Sequence, residues 1–117
     1  MFIVDVESLQ FVYVNQGAGR HAGYSREERL HMTPMELNPH LDAVSFQKLT
    51  DQFSFAPGTA IYLRSEHQHR DGRRIPIAIS LQLIPQLGRN GRYLVIVRDI
   101  TEQLAAEKAL ESAKELA

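Results

Sequence analysis

The chain has 117 residues, 44% apolar and 23% charged, with a net charge of −1 from 13 basic and 14 acidic side chains. That length supports one core and one domain, and the charge balance argues against the basic face that nucleic-acid binding needs. It has no cysteine, which excludes disulfides, thiolate metal sites and a cysteine nucleophile and fits a reducing cytoplasm. No apolar run approaches the ~20 residues that span a bilayer, and no secretion signal is visible.

The first elements are two β-rich runs, Phe2 to Asp5 and Phe11 to Val14, whose short polar link predicts an antiparallel hairpin. Asn15 can cap a short helix over Gln16 to Ala22, which Gly23 stops. This stretch also holds Gly17, Gly19 and Ala22, an allowed form of the dinucleotide-binding fingerprint. The fingerprint needs a parallel βαβ unit and a long helix. Here the strand has an antiparallel partner and the helix ends after about two turns, so the small residues are read as allowing close packing on a sheet.

Ser25-Arg26-Glu27-Glu28 and Thr33-Pro34-Met35-Glu36 read as capping boxes opening short helices, and Pro39 ends the second. Asp42 can cap a longer helix from Ala43 to about Phe53, with Phe46, Leu49 and Phe53 on its buried face. Pro57-Gly58 breaks the chain. From Thr59 to Arg70 the period becomes two: Ile61, Leu63, Ser65 and His67 share one face, and Tyr62, Arg64, Glu66 and Gln68 the other. Asp71-Gly72 is a tight-hairpin dipeptide. The next strand alternates Ile75, Ile77, Ile79, Leu81 and Leu83 with more polar or smaller residues. Asn90-Gly91 predicts another hairpin, Tyr93 to Arg98 the last strand, and Asp99-Ile100-Thr101 leads into a helix running to the end. The expected fold is α+β: one five-stranded antiparallel sheet with short helices on one face and a C-terminal helix.

Taken in order, Tyr13-Val14-Asn15, Gly23-Tyr24-Ser25 with Glu27-Glu28, Arg70-Asp71-Gly72 and Arg98-Asp99-Ile100-Thr101-Glu102 resemble a PAS domain with its C-terminal PAC segment. The likeness covers nearly the whole chain, and Pro39 to Leu49 looks most like PAS domains of bacterial histidine kinases and diguanylate cyclases (GGDEF proteins). The resemblance implies a non-catalytic sensory module in two-component or cyclic-di-GMP signalling. In such a module a cavity under the sheet biases a terminal helix that leads to an output domain, and the domain commonly dimerises. The expected division is a sensor over residues 1–100 and a linker or coiled-coil helix over 101–117. Phe2 directly after Met1 and a helix still running at Ala117 suggest a piece of a longer, cytoplasmic signalling protein.

Cofactor expectations follow from the same likeness. LOV domains and photoactive yellow proteins need a cysteine that this chain lacks. Val97 and Ile77 stand where LOV domains place a glutamine and an asparagine, and the tryptophan usual near redox flavins is absent, so flavin is not expected. Haem PAS domains use a histidine on the long helix; Ala43 to Phe53 has none, and His40 just before it keeps haem as an alternative. His21 is read as a surface or packing residue, and His31 and His69 have no partner pattern. His67 and His69 share a strand face without a third ligand, so no metal site is expected.

His67 and Ser65 face inward among aliphatic neighbours. A buried imidazole or hydroxyl left without a partner costs ~1–3 kcal/mol, so the pair is either bonded to backbone or water, or anchors an unidentified small ligand. The candidate pocket takes Ile61, Leu63, Ser65 and His67 from one strand, Ile77, Ile79, Val95 and Val97 from its neighbours, and Phe46 and Leu49 from the helix. The alternative is that these residues simply fill a core. On the last strand Leu94 and Ile96 would leave an apolar outer face to be covered by a flanking helix or a second subunit, the second being the expectation. The helix repeats Ile100, Gln103, Ala106, Leu110, Ala113 and Ala117 as a short coiled-coil seam. The expected dimer face is Leu94, Ile96, Ala106, Leu110 and Ala113, and the expected relay Asp99, Ile100 and Thr101. The alternatives carried are a ligand-free dimerisation module, a haem-binding gas or redox sensor, and an enzyme, the last without any nucleophile elbow or zinc motif to support it.

Overall fold

A computed structural model describes residues 1–15, 20–56, 58–85 and 91–116. In chain order the elements are β1 (Phe2–Asp5), β2 (Phe11–Val14), a 3-10 turn at Arg20–Ala22, α1 (Arg26–Leu30), α2 (Pro34–Leu37), α3 (Ala43–Thr50), α4 (Gln52–Phe55), β3 (Ala60–Gln68), β4 (Arg74–Ile84), β5 (Arg92–Asp99) and α5 (Thr101–Leu116). The five strands form one antiparallel sheet, as the alternation and turn residues predict, and they lie in the order β2-β1-β5-β4-β3. Gln16 to Gly19, which hold the fingerprint glycines Gly17 and Gly19, lie outside the described residues, as do Pro57, Asn90 and Ala117.

The strand order places the first hairpin beside the last strand. Phe2 is opposite Val95 and Val4 opposite Tyr93, so β1 lies between β2 and β5 and its apolar side chains enter the middle of the core. Phe2, Val4, Phe11, Val14, Leu81 and Tyr93 from the sheet pack against Ala22, Leu37, Phe46 and Phe53 from the helical layer. Phe46 meets Tyr93 edge-on at 5.6 Å, and Phe2 stacks on Phe11 at 4.6 Å.

Three local expectations are corrected. The helix from Asp42 is capped as expected, with Asp42 and Ser45 bonding reciprocally, but it breaks at Asp51. The Thr50 hydroxyl donates to the carbonyls of Phe46 (3.1 Å) and Gln47 (3.2 Å), a side-chain bond that competes with the helical ladder. Ser25 and Glu28 form the expected capping box, whereas Thr33 makes no capping bond and gives its hydroxyl to the Glu36 carboxylate at 3.3 Å. β3 ends at Gln68, not Arg70. A turn closed by Gly72 N–H to the His69 carbonyl (2.8 Å) and His69 N–H to the Arg73 carbonyl (2.7 Å) follows, with Gly72 at φ +96°, a region that glycine enters without steric cost.

That turn is tied back to the start of the helical layer. Arg70 N–H donates to the Ala22 carbonyl at 2.9 Å, the Arg70 guanidinium pairs with Glu28, and it lies 5.0 Å over the Tyr24 ring. Gly23 sits at φ +80° against the His69 ring, where an added Cβ would lie 2.7 Å from ring atoms. These contacts hold the 3-10 turn against the end of β3, beside His67.

The C-terminal helix starts from a fixed base. Asp99 Oδ1 accepts from the Thr101 backbone N–H (2.9 Å) and hydroxyl (2.6 Å), and Ile100 N–H donates to the Pro76 carbonyl at 3.0 Å. Ile100 is 2% exposed; it therefore belongs to the body of the domain and does not continue the exposed seam expected of it. Among the described residues no helix is long and apolar enough to cross a membrane.

Candidate ligand cavity

The inward-facing row of β3 runs Leu63, Ser65, His67, opposite Ile79, Ile77 and Ile75 of β4. Hydrocarbon side chains alone would close over this row, but Ser65 is short and His67 needs a polar partner. The helical layer arches over it and leaves a cavity of about 220 Å³. An apolar cavity of 150 Å³ takes up benzene, so this one holds about nine non-hydrogen atoms at the same density.

Of the residues expected in a pocket, Phe46, Leu49, Leu63, Ser65, His67, Ile79, Val95 and Val97 line the cavity. Ile61 and Ile77 do not. Ile77 has 0% exposure and sits between Ser65 and Asp99 on neighbouring strands, where it is closed core. Ile61, opposite Leu81, packs against the core cluster instead.

Sequence reasoning missed Phe2, Phe11, Leu81 and Asn38, which also line the cavity, as does His40, expected only as an alternative haem ligand. Phe2 and Phe11 arrive through the β1–β5 pairing, which no local pattern announces. Asn38 had one signal: it precedes Pro39, and a residue before proline is driven out of the helical region. It ends α2 in an extended conformation at φ −110° and ψ 108°. Its amide is turned into the core at 4% exposure. There its Nδ2 donates to Ser65 Oγ at 3.0 Å, while its Oδ1 accepts the His40 N–H at 3.0 Å.

His67 is 5% exposed, and its Nδ1 lies 3.2 Å from His21 Nε2, the rings nearly parallel at 11°. His21, expected at the surface or as simple packing, is thus the hydrogen-bond partner of His67. The docked 3-10 turn brings the two rings together. Burial, with His21 adding to it, pushes the His67 imidazole down to about 3. Burial also lowers His21, against the pull of Asp99. At neutral pH the pair is therefore uncharged, one ring donating and the other accepting.

His40 also has a partner: its Nε2 is 2.6 Å from Glu66 Oε1 at the half-exposed rim. Haem does not fit the cavity. About nine non-hydrogen atoms are a fraction of a porphyrin, and the cavity-lining histidine just before α3, His40, has its Nε2 already held by Glu66. A flavin exceeds the same volume. Among the described residues no three histidine or carboxylate side chains gather as a metal site.

The family model for the PAS domain matches residues 1–102. The PAS domain of an HTR-like protein from Haloarcula marismortui is similar, with 25% identity, a TM-score of 0.70, and 85% of this chain and 83% of that one covered. A domain of a sensory box sensor histidine kinase/response regulator from Geobacter sulfurreducens is also 25% identical, with a TM-score of 0.66 and coverage of 84% and 80%. An RNA-binding light-oxygen-voltage receptor has a TM-score of 0.69 over 98% of this chain and 33% of its own; at 23% identity that likeness is one of fold. No curated protein matches significantly.

Proposed function

The chain belongs to the PAS domain family, and from that premise we propose that residues 1–100 sense a small molecule in the cavity and residues 101–117 pass the change to an output domain. The observation that carries this reading is the cavity itself, about 220 Å³ with the bonded polar groups Asn38, Ser65 and His67 at one end. Such a space in a small core costs packing energy, and apolar walls with a few placed polar groups are the usual form of a ligand site.

The route outward is short. Arg64 alternates with cavity-lining Leu63 and Ser65 on β3, and its guanidinium holds Glu107 of α5 through two hydrogen bonds of 2.9 and 3.0 Å. Asp99, Ile100 and Thr101 join β5, whose Val95 and Val97 line the cavity, to the same helix. A ligand that binds one sheet geometry better than another shifts the seating of α5 by that difference in affinity. Replacing Arg64 with Gln is expected to leave the fold intact and to speed amide exchange over residues 104–110. Unchanged exchange would mean that the pair does not fix the helix.

The outer sheet face presents Ile96 at 48% and Tyr62 at 77% exposure, and α5 presents Leu110 at 59%. With Leu94, Ala106 and Ala113 they form the face proposed to pair with a second copy. The proposed parent is a cytoplasmic sensor histidine kinase or diguanylate cyclase, and this domain is proposed to be non-catalytic. The similarity to a sensor histidine kinase domain supports the first parent.

Native mass spectrometry of freshly purified protein tests the sensory reading. Wild type is expected to carry a species of about nine non-hydrogen atoms, and Val97→Phe, which fills the cavity, to carry none. A bare mass for wild type, unchanged after incubation with a small-molecule extract of the cells, would leave a ligand-free dimerisation module.

A further inference from the structure

Among the described residues, the cavity lining includes no Lys, Arg, Asp or Glu. Its polar end is an amide, a hydroxyl and imidazoles, and these are already partly committed to one another. Asn38 Nδ2 gives its proton to Ser65 Oγ, which leaves the Ser65 hydroxyl proton free to donate. His67 Nδ1 is taken by His21, and among the described residues no hydrogen bond is made by His67 Nε2. At the rim, His40 Nε2 is 2.6 Å from the Glu66 carboxylate, which the Arg74 guanidinium also approaches at 3.9 Å, so the charged groups there are already matched to one another.

We infer that the cavity selects an uncharged, mainly hydrocarbon ligand bearing one head group that both donates and accepts hydrogen bonds, and that it rejects carboxylates and ammonium ions of the same shape. This rests on reading the cavity as the sensory site. A carboxylate placed against Ser65 and His67 leaves water for a site with no cation to pair with, and the desolvation is uncompensated. An ammonium ion fares no better, because no carboxylate lines the wall. An alcohol, phenol or carboxamide head fits whichever way the histidine pair is arranged. If His21 Nε2–H donates to His67 Nδ1, then His67 carries its proton on Nε2 and donates to the head group. If His67 Nδ1–H donates to His21, then Nε2 accepts from it. The Ser65 hydroxyl donates in both cases. Phe2, Phe11 and Phe46 with Leu63, Ile79 and Val95 enclose the remainder, and the volume admits about nine non-hydrogen atoms.

Three probes of closely similar shape and within the cavity's capacity separate these demands: benzamide, benzoate and p-xylene, titrated into isotope-labelled protein at neutral pH and followed by amide chemical shifts. The amide is expected to bind more than about tenfold tighter than the carboxylate, which must shed its hydration unpaired, and more tightly than p-xylene, which leaves Ser65 and His67 unanswered. Ser65→Ala, which removes the hydroxyl donor and frees Asn38 Nδ2, is expected to weaken the amide several-fold more than p-xylene. Equal loss for both would overturn the head-group assignment. Carboxylate binding as tight as the amide, with shifts at Ser65 and His67, would overturn the selection for uncharged ligands while leaving a ligand site in place. If none of the three moves a cavity resonance, the sensory reading fails and this inference with it.

Discussion

Acidifying the wild-type protein from pH 7 to pH 4 is expected to lower its unfolding free energy by about 3 kcal/mol through His67 alone, at roughly 1.4 kcal/mol per pH unit below the unfolded value. The cause is burial: His67 titrates near 6.5 in the unfolded chain and at about 3 in the folded one. Between those values the unfolded chain binds a proton that the native state refuses, so stability falls as pH falls. The contribution is complete above pH 6.5 and is lost progressively down to about 3. His21 acts in the same sense, its pKa also lowered by burial. Asp5, Asp42, Asp71 and Asp99 are held below the ordinary carboxylate value by local hydrogen bonds, and Glu107 is held down to about 2 by its bond to Arg64. They withdraw stability as pH falls through their unfolded values of 3.8 and 4.5. The Met1 amine, lowered from 8.0 by burial, acts at the upper end, so the histidine effect is read between pH 6.5 and 4.5. Urea unfolding at stepped pH checks this. His67→Gln, which keeps a polar side chain but does not titrate, is expected to flatten the slope between pH 6.5 and 4.5. A wild-type slope already flat in that interval would show that the pair accepts a proton at little cost.

Phe2→Ala is expected to cost about 3–5 kcal/mol, the range for a buried aromatic truncated in a core that cannot collapse. Phe2 is 1% exposed, stacks on Phe11 and lies on a strand bonded on both sides. It also borders the cavity, so its removal enlarges an existing space that the paired backbone prevents from closing. For a domain of ordinary stability, about 5–15 kcal/mol, this is roughly a fifth of the total or more. Phe55→Ala provides the control: at 89% exposure it is expected to stay within about 0.5 kcal/mol of wild type. The two urea midpoints decide it, and a Phe2→Ala protein within about 1 kcal/mol of wild type would mean that β1 is not part of the cooperative core.

Much of the fold was legible because its determinants are local. Strict alternation from Ile61 to His67 and from Ile75 to Leu83 could satisfy only a half-buried strand. Ser25, Asp42 and Gly72 do the capping and turning their residue types do elsewhere. The local rules were less exact at helix ends. The Thr50 hydroxyl shares the Phe46 and Gln47 carbonyls with the helical ladder, and the helix from Asp42 stops short of Phe53. Thr33 makes no capping bond and donates its hydroxyl to Glu36.

The cavity was legible only in part, for a physical reason. Alternation tells which side chains point inward, and it named Leu63, Ser65, His67, Ile79, Val95 and Val97. It cannot tell whether inward side chains meet, because that depends on how far the opposing layer stands off. Ile77 is closed core while Ile79, one repeat along, borders open space. The partners of the polar groups lie 27 residues away for Ser65 and 46 for His67, beyond any periodicity.

By itself, then, the order of residues determined the secondary elements, the antiparallel hairpins and the inward orientation of His67, since these depend on bonds and sterics among neighbours. Only the tertiary structure decided that β1 sits beside β5, that His21 meets His67, and that the helical layer leaves a cavity. Those outcomes depend on the volumes of side chains distant in sequence and on the pairing each buried polar group finds once the layers are closed.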